Sequence, residues 1–197
     1  MRVMVIPEDP TLDRHILQPI VEHIFDDLGR KARVEVLRDP HLRGIDEALD
    51  PEVLKGIISD REAMFDLFLL LVDRDCNDGR GRGRNNVEMA RQRETENGDR
   101  LLACLVVEEV EVWMLALHRD ELEARWSDIR QHCDPKEQYA DVLLKQKGWL
   151  STLGKGRKKA MEGLGSKWQG LLQVCPELAD LKQRITVWLE QRGGARQ

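Results

Sequence analysis

No pair of cysteines in the chain has CxxC spacing. The four present, Cys76, Cys104, Cys133 and Cys175, lie far apart, and with no secretory signal pattern they read as reduced thiols of a cytoplasmic protein. Cys104 sits inside a strand pattern and reads as core. No apolar run approaches the ~20 residues of a membrane span, so no membrane partner is expected. A strand pattern begins at Arg2, which predicts that no targeting segment stands at the N-terminus. The five histidines, His15, His23, His41, His118 and His132, are scattered, which argues against zinc. The chain lacks both GxxxxGKS/T and a glycine-rich turn after its first strand, so ATP hydrolysis or nucleotide handling by this chain alone is not expected. No internal repeat is visible. The net charge of −5 argues against a generic polyanion binder, while leaving room for a local basic surface.

What is present is a chain of 197 residues with 41% apolar and 34% charged side chains, enough for one α/β core with a small helical extension. Its most informative run is FDLFLLLVDRD, residues 65–75. An apolar strand ends abruptly in Asp73 and Asp75. Two carboxylates at a buried strand end repel each other, a cost that a divalent cation or a basic partner removes.

Around this run the hydrophobic pattern predicts strands at 2–6, 33–37, 65–72 and 101–107. Helices are predicted at 11–28, with Pro19 bending or dividing it, and at 46–58 and 86–97. A further helix begins near Glu109, with Val110, Trp113, Met114 and Leu117 inward. Residues 77–86 read as a flexible basic loop. The βαβαβαβα alternation predicts an α/β fold with a mostly parallel, Rossmann-like sheet flanked by helices. Residues 1–118 form that core. Residues 119–197 form a helical extension, with a charged helix at 120–131, a short one at 137–149 and a terminal one at 177–190.

In a parallel sheet all strands end at one edge, where ligands bind. Glu8 follows the first strand, Asp73 and Asp75 end the third, and Glu108, Glu109 and Glu111 follow the fourth. All-oxygen ligands are the chemistry of Mg²⁺ or Mn²⁺, and Mg²⁺ keeps several waters while contacting only a few carboxylates. With a phosphate substrate such an ion polarises the phosphoryl group and helps generate a hydroxide nucleophile.

Glu8 after the first strand and Asp73-Arg74-Asp75 after the third resemble the metal-binding core of the Toprim domain, which topoisomerases, DnaG-type primases and OLD-family nucleases share. The chain is similar, more narrowly, to small stand-alone Toprim-like proteins found beside ATPases in bacterial anti-phage systems. VVEEVEVWMLAL, residues 106–117, and GKGRKKA, residues 154–160, look like segments of theirs. The resemblance implies a Mg²⁺-dependent nuclease, a hydrolase of DNA or RNA phosphodiesters that acts as an antiviral effector under an ATPase partner. Self-association into a homo-oligomer is also allowed. In that scheme Glu8, Asp73 and Asp75 bind the metal, Glu8 also handles a proton, and Glu111 supports the site, with Glu108 or Glu109 as alternatives to it. The glycine that usually follows the family's first glutamate is replaced here by IPEDPTLD, residues 6–13, and Asp9 or Asp13 could share the task of Glu8.

Two basic elements fit such a substrate. Arg80, Arg82 and Arg84 alternate with glycines just past the aspartates, giving a flexible arm that reaches phosphates without reading sequence. Lys155, Arg157 and Lys158 form the second element, with Lys159 and Lys167 nearby. The alternative function is a non-catalytic Toprim-like binding or regulatory subunit. Its interaction surface would be the tryptophan-rich C-terminal third around Trp126, Trp149 and Trp168, residues for which packing is the blander role.

Overall fold

Alternate residues of the strands point to opposite faces, and both faces are apolar. The computed structural model of the chain describes residues 1–74, 76 and 82–194, with backbone alone at 82–83 and 193–194. Among them are four strands: β1 (Arg2–Pro7), β2 (Arg33–Val36), β3 (Leu67–Asp73) and β4 (Leu101–Val106). They form one sheet in the order β2-β1-β3-β4, and every pairing is parallel. The α/β architecture expected from the alternation is thus the one observed.

Val3, Val5, Leu67, Leu69 and Leu71 face one way. They meet α1 (Arg14–Asp27) and, from later in the chain, α5 (Glu111–Leu117), α9 (Leu164–Val174) and α10 (Pro176–Gly194). Met4, Ile6, Phe68, Leu70 and Val72 face the other way, against α2 (Ile45–Ala48), α3 (Pro51–Ser59) and α4 (Arg82–Asn97). Covered on both sides, β3 buries every side chain from Leu67 to Val72, which explains its unbroken apolar run. The segment after residue 118 shares its apolar core with the sheet, because α9 and α10 pack on the same face as α1.

Several boundaries differ from the sequence reading. Helix α1 runs unbroken through Pro19, because Ile16, Leu17, Ile20, Val21, Ile24 and Phe25 are all buried and outweigh one missing backbone bond. The helix expected at 46–58 is two, since Asp50 and Pro51 start a new one: the Asp50 carboxylate accepts from the Glu52 and Val53 N–H groups, and proline occupies the first turn. Helix α4 starts at Arg82, inside the stretch 77–86 read as a loop. The charged helix expected at 120–131 is divided into a 3₁₀ turn at Arg119–Glu121 and α6 (Trp126–Gln131), with extended backbone at Leu122 and Arg125 between them. A π-helical turn at Lys136–Ala140 leads into α7 (Asp141–Gln146). α8 (Arg157–Ala160) occupies the basic stretch, and α9 follows it, with Leu164, Trp168 and Leu171 buried at helical spacing.

The expectation of four free thiols is corrected for two of them. Cys76 and Cys133, 57 residues apart in sequence, are joined in a disulfide with a Cα–Cα distance of 4.9 Å, while Cys104 and Cys175 are buried and free. Separation along the chain hid a pairing that the return of the chain past the end of β3 makes. Closing a loop of this length restricts the unfolded chain by up to about 4 kcal/mol on the chain-entropy estimate. Denaturant unfolding of Cys133→Ser should therefore show a loss of that order or less, and adding reductant to the wild type should reproduce it. Two intact thiols at these positions, found by mass spectrometry of protein purified without reductant, would contradict the pairing.

Asp27, at the end of α1, ties three helices together. Its Oδ2 accepts from Lys182 Nζ of α10 at 2.5 Å and from Trp168 Nε1 of α9 at 3.0 Å. Lys182 first, and then the indole N–H, hold the Asp27 carboxyl below the ordinary carboxylate range. A depressed folded pKa gives stability that is present above the unfolded value of 3.8 and is lost as pH falls through the folded value. The pair is partly exposed, so Asp27→Asn should cost only about 0.5–1 kcal/mol at pH 7. Urea titrations at pH 7 and pH 3 should show that difference shrinking in acid.

Candidate active site at the sheet edge

The order β2-β1-β3-β4 places its switch point between β1 and β3, the adjacent strands whose ends carry Glu8 and Asp73. Beside them Asp13 occupies the N-cap of α1, and its Oδ2 accepts the Asp9 N–H at 3.1 Å. Asp73 Oδ1 accepts the Val110 N–H at 2.8 Å, which fixes the tip of β3 to the turn before α5. The sheet edge thus gathers carboxylates from the ends of β1 and β3 and from the starts of α1 and α5.

Their charges act on one another. Burial, then the Glu111 charge, push the Asp13 carboxyl up to about 8; acceptance of the Asp9 N–H opposes the rise, and Asp9 and Glu8 add to it. Burial likewise pushes Asp73 well above the ordinary range, with Asp13, Glu111 and Glu8 reinforcing it and the Val110 N–H opposing it. Close carboxylates short of counter-charge hold protons instead.

The three glutamates after β4 divide their roles. Glu108 is buried and accepts from Arg74 Nη2, while the Arg74 carbonyl accepts from Asn86 Nδ2 at 3.1 Å. Glu109 Oε2 accepts the Lys136 N–H at 2.7 Å, and burial raises its pKa to about 7 against that bond. Glu111, only 2% exposed, receives Arg157 Nε at 3.0 Å and Nη2 at 2.6 Å. Of the three, Glu111 is the one whose charge reaches both Asp13 and Asp73. Burial acts to lower the pKa of Lys136, but Glu111 and Glu109 outweigh it and the net shift is upward, so a cation stands beside these glutamates.

Asp75 and Arg80 lie outside the described residues, as does the side chain of Arg82, whose backbone opens α4. Arg84 is exposed on the first turn of that helix. Lys155 is exposed in the loop before α8, with a left-handed φ of 50°. Arg157, one of the residues expected to meet substrate, is only 1% exposed and is committed to Glu111, with Asp141 at 3.7 Å. Lys158 beside it is exposed. Asp13, weighed from sequence only as a stand-in for Glu8, takes a central position. Arg74, read from sequence as a possible partner of Asp73 or Asp75, pairs with Glu108, and Lys136 was not singled out, since its importance comes from partners distant in sequence.

No protein-family model matches the chain, and neither does any curated protein or solved structure. Geometry therefore carries the functional argument. The donor chemistry of Glu8, Asp13 and Asp73 fits a hard divalent cation such as Mg²⁺ or Mn²⁺. Among the described residues, however, no three His, Cys, Asp or Glu side chains form a group able to hold one ion.

The Glu111–Arg157 pair is the structural support of this edge. Glu111→Gln would leave the buried guanidinium, whose Nη1 already has no hydrogen-bond partner, without its main counter-charge. Loss of one member of a buried pair costs roughly 3–5 kcal/mol. Chemical denaturation should show a loss of that size for Glu111→Gln, and the apolar double replacement Glu111→Leu/Arg157→Met should recover part of it. A single variant as stable as the wild type would rule out the supporting role.

Proposed function

We propose that the chain is a metal-dependent phosphodiester hydrolase acting on DNA or RNA, built on a Toprim-like version of the α/β fold. The observation that carries this reading is the set of mutually repelling carboxylates, Glu8, Asp13, Asp73 and Glu111, at the switch-point edge of a parallel sheet. Glu8, Asp13 and Asp73 would hold Mg²⁺ or Mn²⁺, which when bound supplies Lewis-acid polarisation of the phosphoryl group and a more acidic water. Asp75 belongs to the proposed ligand set through the resemblance alone. Glu111 acts from behind: its charge raises the proton affinity of Asp13 and Asp73, and Arg157 fixes its position. Glu8 is proposed to handle the proton of the attacking water. Control by an ATPase partner and a role in anti-phage defence rest on the same resemblance, and a cytoplasmic setting on the reading of the cysteines; all three form part of the proposal.

A non-catalytic binding subunit is the second reading. It draws on the absence, among the described residues, of a closed three-residue ligand group. Its proposed surface has less behind it. Trp113, Trp168 and Trp188 are buried, and Trp126 donates to the Val174 carbonyl at 3.4 Å, so these indoles pack the interior rather than present an interface.

The two readings separate in one assay. Purified protein is given Mg²⁺ or Mn²⁺ with plasmid, single-stranded DNA and tRNA, beside Asp73→Asn and Asp13→Asn. The enzymatic reading expects metal-dependent cleavage that falls at least ~10²-fold in either variant, as removal of transition-state charge stabilisation does. Cleavage unchanged in both variants would remove this edge as the active site. No cleavage of any substrate by an otherwise folded wild type that captures a partner protein would favour the binding reading.

A further inference from the structure

Beyond the carboxylates, the same edge carries an opposite charge on its β2 side. Arg38 follows the end of β2 and is exposed. Arg14 opens α1, and exposed Lys158 projects from α8 beside the buried Arg157. With His15 they line one groove of about 480 Å³. The α8 segment is pressed against α1 there: a Cβ on Gly154, whose φ is +65°, would lie 2.2 Å from the His15 ring. The groove is therefore fixed by backbone close to side chain.

The cations converge on it. Arg14 from α1, Arg38 from beyond β2 and Lys158 from α8 line it together, and Arg14 Nε donates to His15 Nε2 at 3.3 Å, so three separate segments bring one sign of charge to one groove. Among the described residues, Arg14, Arg38 and Lys158 form no ion pair with a carboxylate, whereas most other arginines near the sheet do. Unpaired like charges in one groove repel, and on a chain of net charge −5 their clustering favours an anionic ligand over mere solvation. Glu22 and Glu162 also line the groove, Glu22 two turns down α1 from His15 and Glu162 four residues after Lys158. Arg14 stands next to Asp13 at the start of α1.

We propose that Arg14, Arg38 and Lys158 form a phosphate-binding track that leads a nucleic-acid strand over the β2 end of the sheet to the carboxylates at the β1 and β3 ends. The sheet order supplies the direction: cations at β2, then Glu8 at β1 and Asp73 at β3. Asp13 and Arg14, neighbours at the start of α1, stand at the boundary between the two charges. The identity of the ligand as nucleic acid rests on the hydrolase reading, whereas binding in the groove needs no metal and no cleavage.

The test measures binding of fluorescein-labelled single-stranded and duplex DNA to the full chain in EDTA, across a salt series, by anisotropy. Variants are Arg14→Ala, Arg38→Ala, Lys158→Ala and their combination, with exposed Lys55→Ala on α3 as control. For a single strand each phosphate contact contributes about 0.7 to the slope of log K against log salt. The triple variant should lose about 2 from that slope and bind roughly 10²-fold more weakly at 0.1 M salt, with Lys55→Ala unchanged. Arg38→Ala and Lys158→Ala each lose about a third of this effect, so that a folding defect in Arg14→Ala does not decide the result, and Arg38→Lys retains binding. An unchanged slope and affinity in the triple variant overturns the track. So does competition by poly-glutamate as effective as that by oligonucleotide at equal charge, which assigns the surface to an acidic protein. Asp73→Asn separates the two claims: it should bind DNA as well as the wild type or better, and cleavage by it in Mg²⁺ at the wild-type rate counts against the hydrolase reading while leaving the track standing.

Discussion

An ion pair closed off from water, Glu111 with Arg157, underlies the arrangement at the sheet edge. It joins the first turn of α5 to α8, residues 46 positions apart, and so fixes the C-terminal segment against the end of the sheet. From that anchor Lys158 projects into the groove and Gly154 closes on His15. The same pair leaves Glu111 charged in a buried setting, where its field raises the proton affinity of Asp13 and Asp73. A buried pair of this kind contributes little net stability compared with apolar packing. Its value here lies in position: it holds a negative charge behind the carboxylates and a positive segment beside them.

The second constraint is the parallel sheet. With every strand pointing one way, each C-terminal turn delivers its side chains to the same edge, and the order β2-β1-β3-β4 sorts them by charge. Arg38 past β2 lines the basic groove with Arg14 of α1 and Lys158 of α8, while carboxylates gather past β1 and β3. Past β4 each carboxylate has its own partner, Glu108 the Arg74 guanidinium, Glu109 the Lys136 backbone N–H and Glu111 the Arg157 guanidinium. The carboxylates at the switch-point edge, Glu8, Asp13 and Asp73, are the ones suited to recruit a cation.

Much of the scaffold was legible in the sequence because it depends on local periodicity. The run at 65–72 is buried on both faces as its composition requires, and Glu8 and Asp73 follow from strand ends alone. The errors occur where long-range partners decide. Arg157 reads as a substrate-facing cation in GKGRKKA, yet Glu111 draws it inside. The cysteines at 76 and 133 read as separate thiols, yet the return of the chain after α6 joins them. Across residues 120–131 Leu122, Trp126 and Ile129 do pack on the core, but the backbone is extended at Leu122 and Arg125, and only the second half forms an α-helix. Leu164, Trp168 and Leu171 did carry a helical stripe, obscured by the basic run before it. Asp13 could have been found from its place ahead of the α1 pattern, where an N-cap aspartate is ordinary; its coupling to Asp73 depends on the fold.

The central claim is that Glu8, Asp13 and Asp73 form a divalent-cation site once an ion is present. The most direct measurement is anomalous diffraction from crystals of the protein soaked in Mn²⁺. The account predicts one Mn²⁺ peak at the switch-point edge, with carboxylate oxygens of these residues about 2.0–2.6 Å away. Well-ordered crystals in which the three carboxylates remain apart, with no Mn²⁺ at this edge, would contradict it.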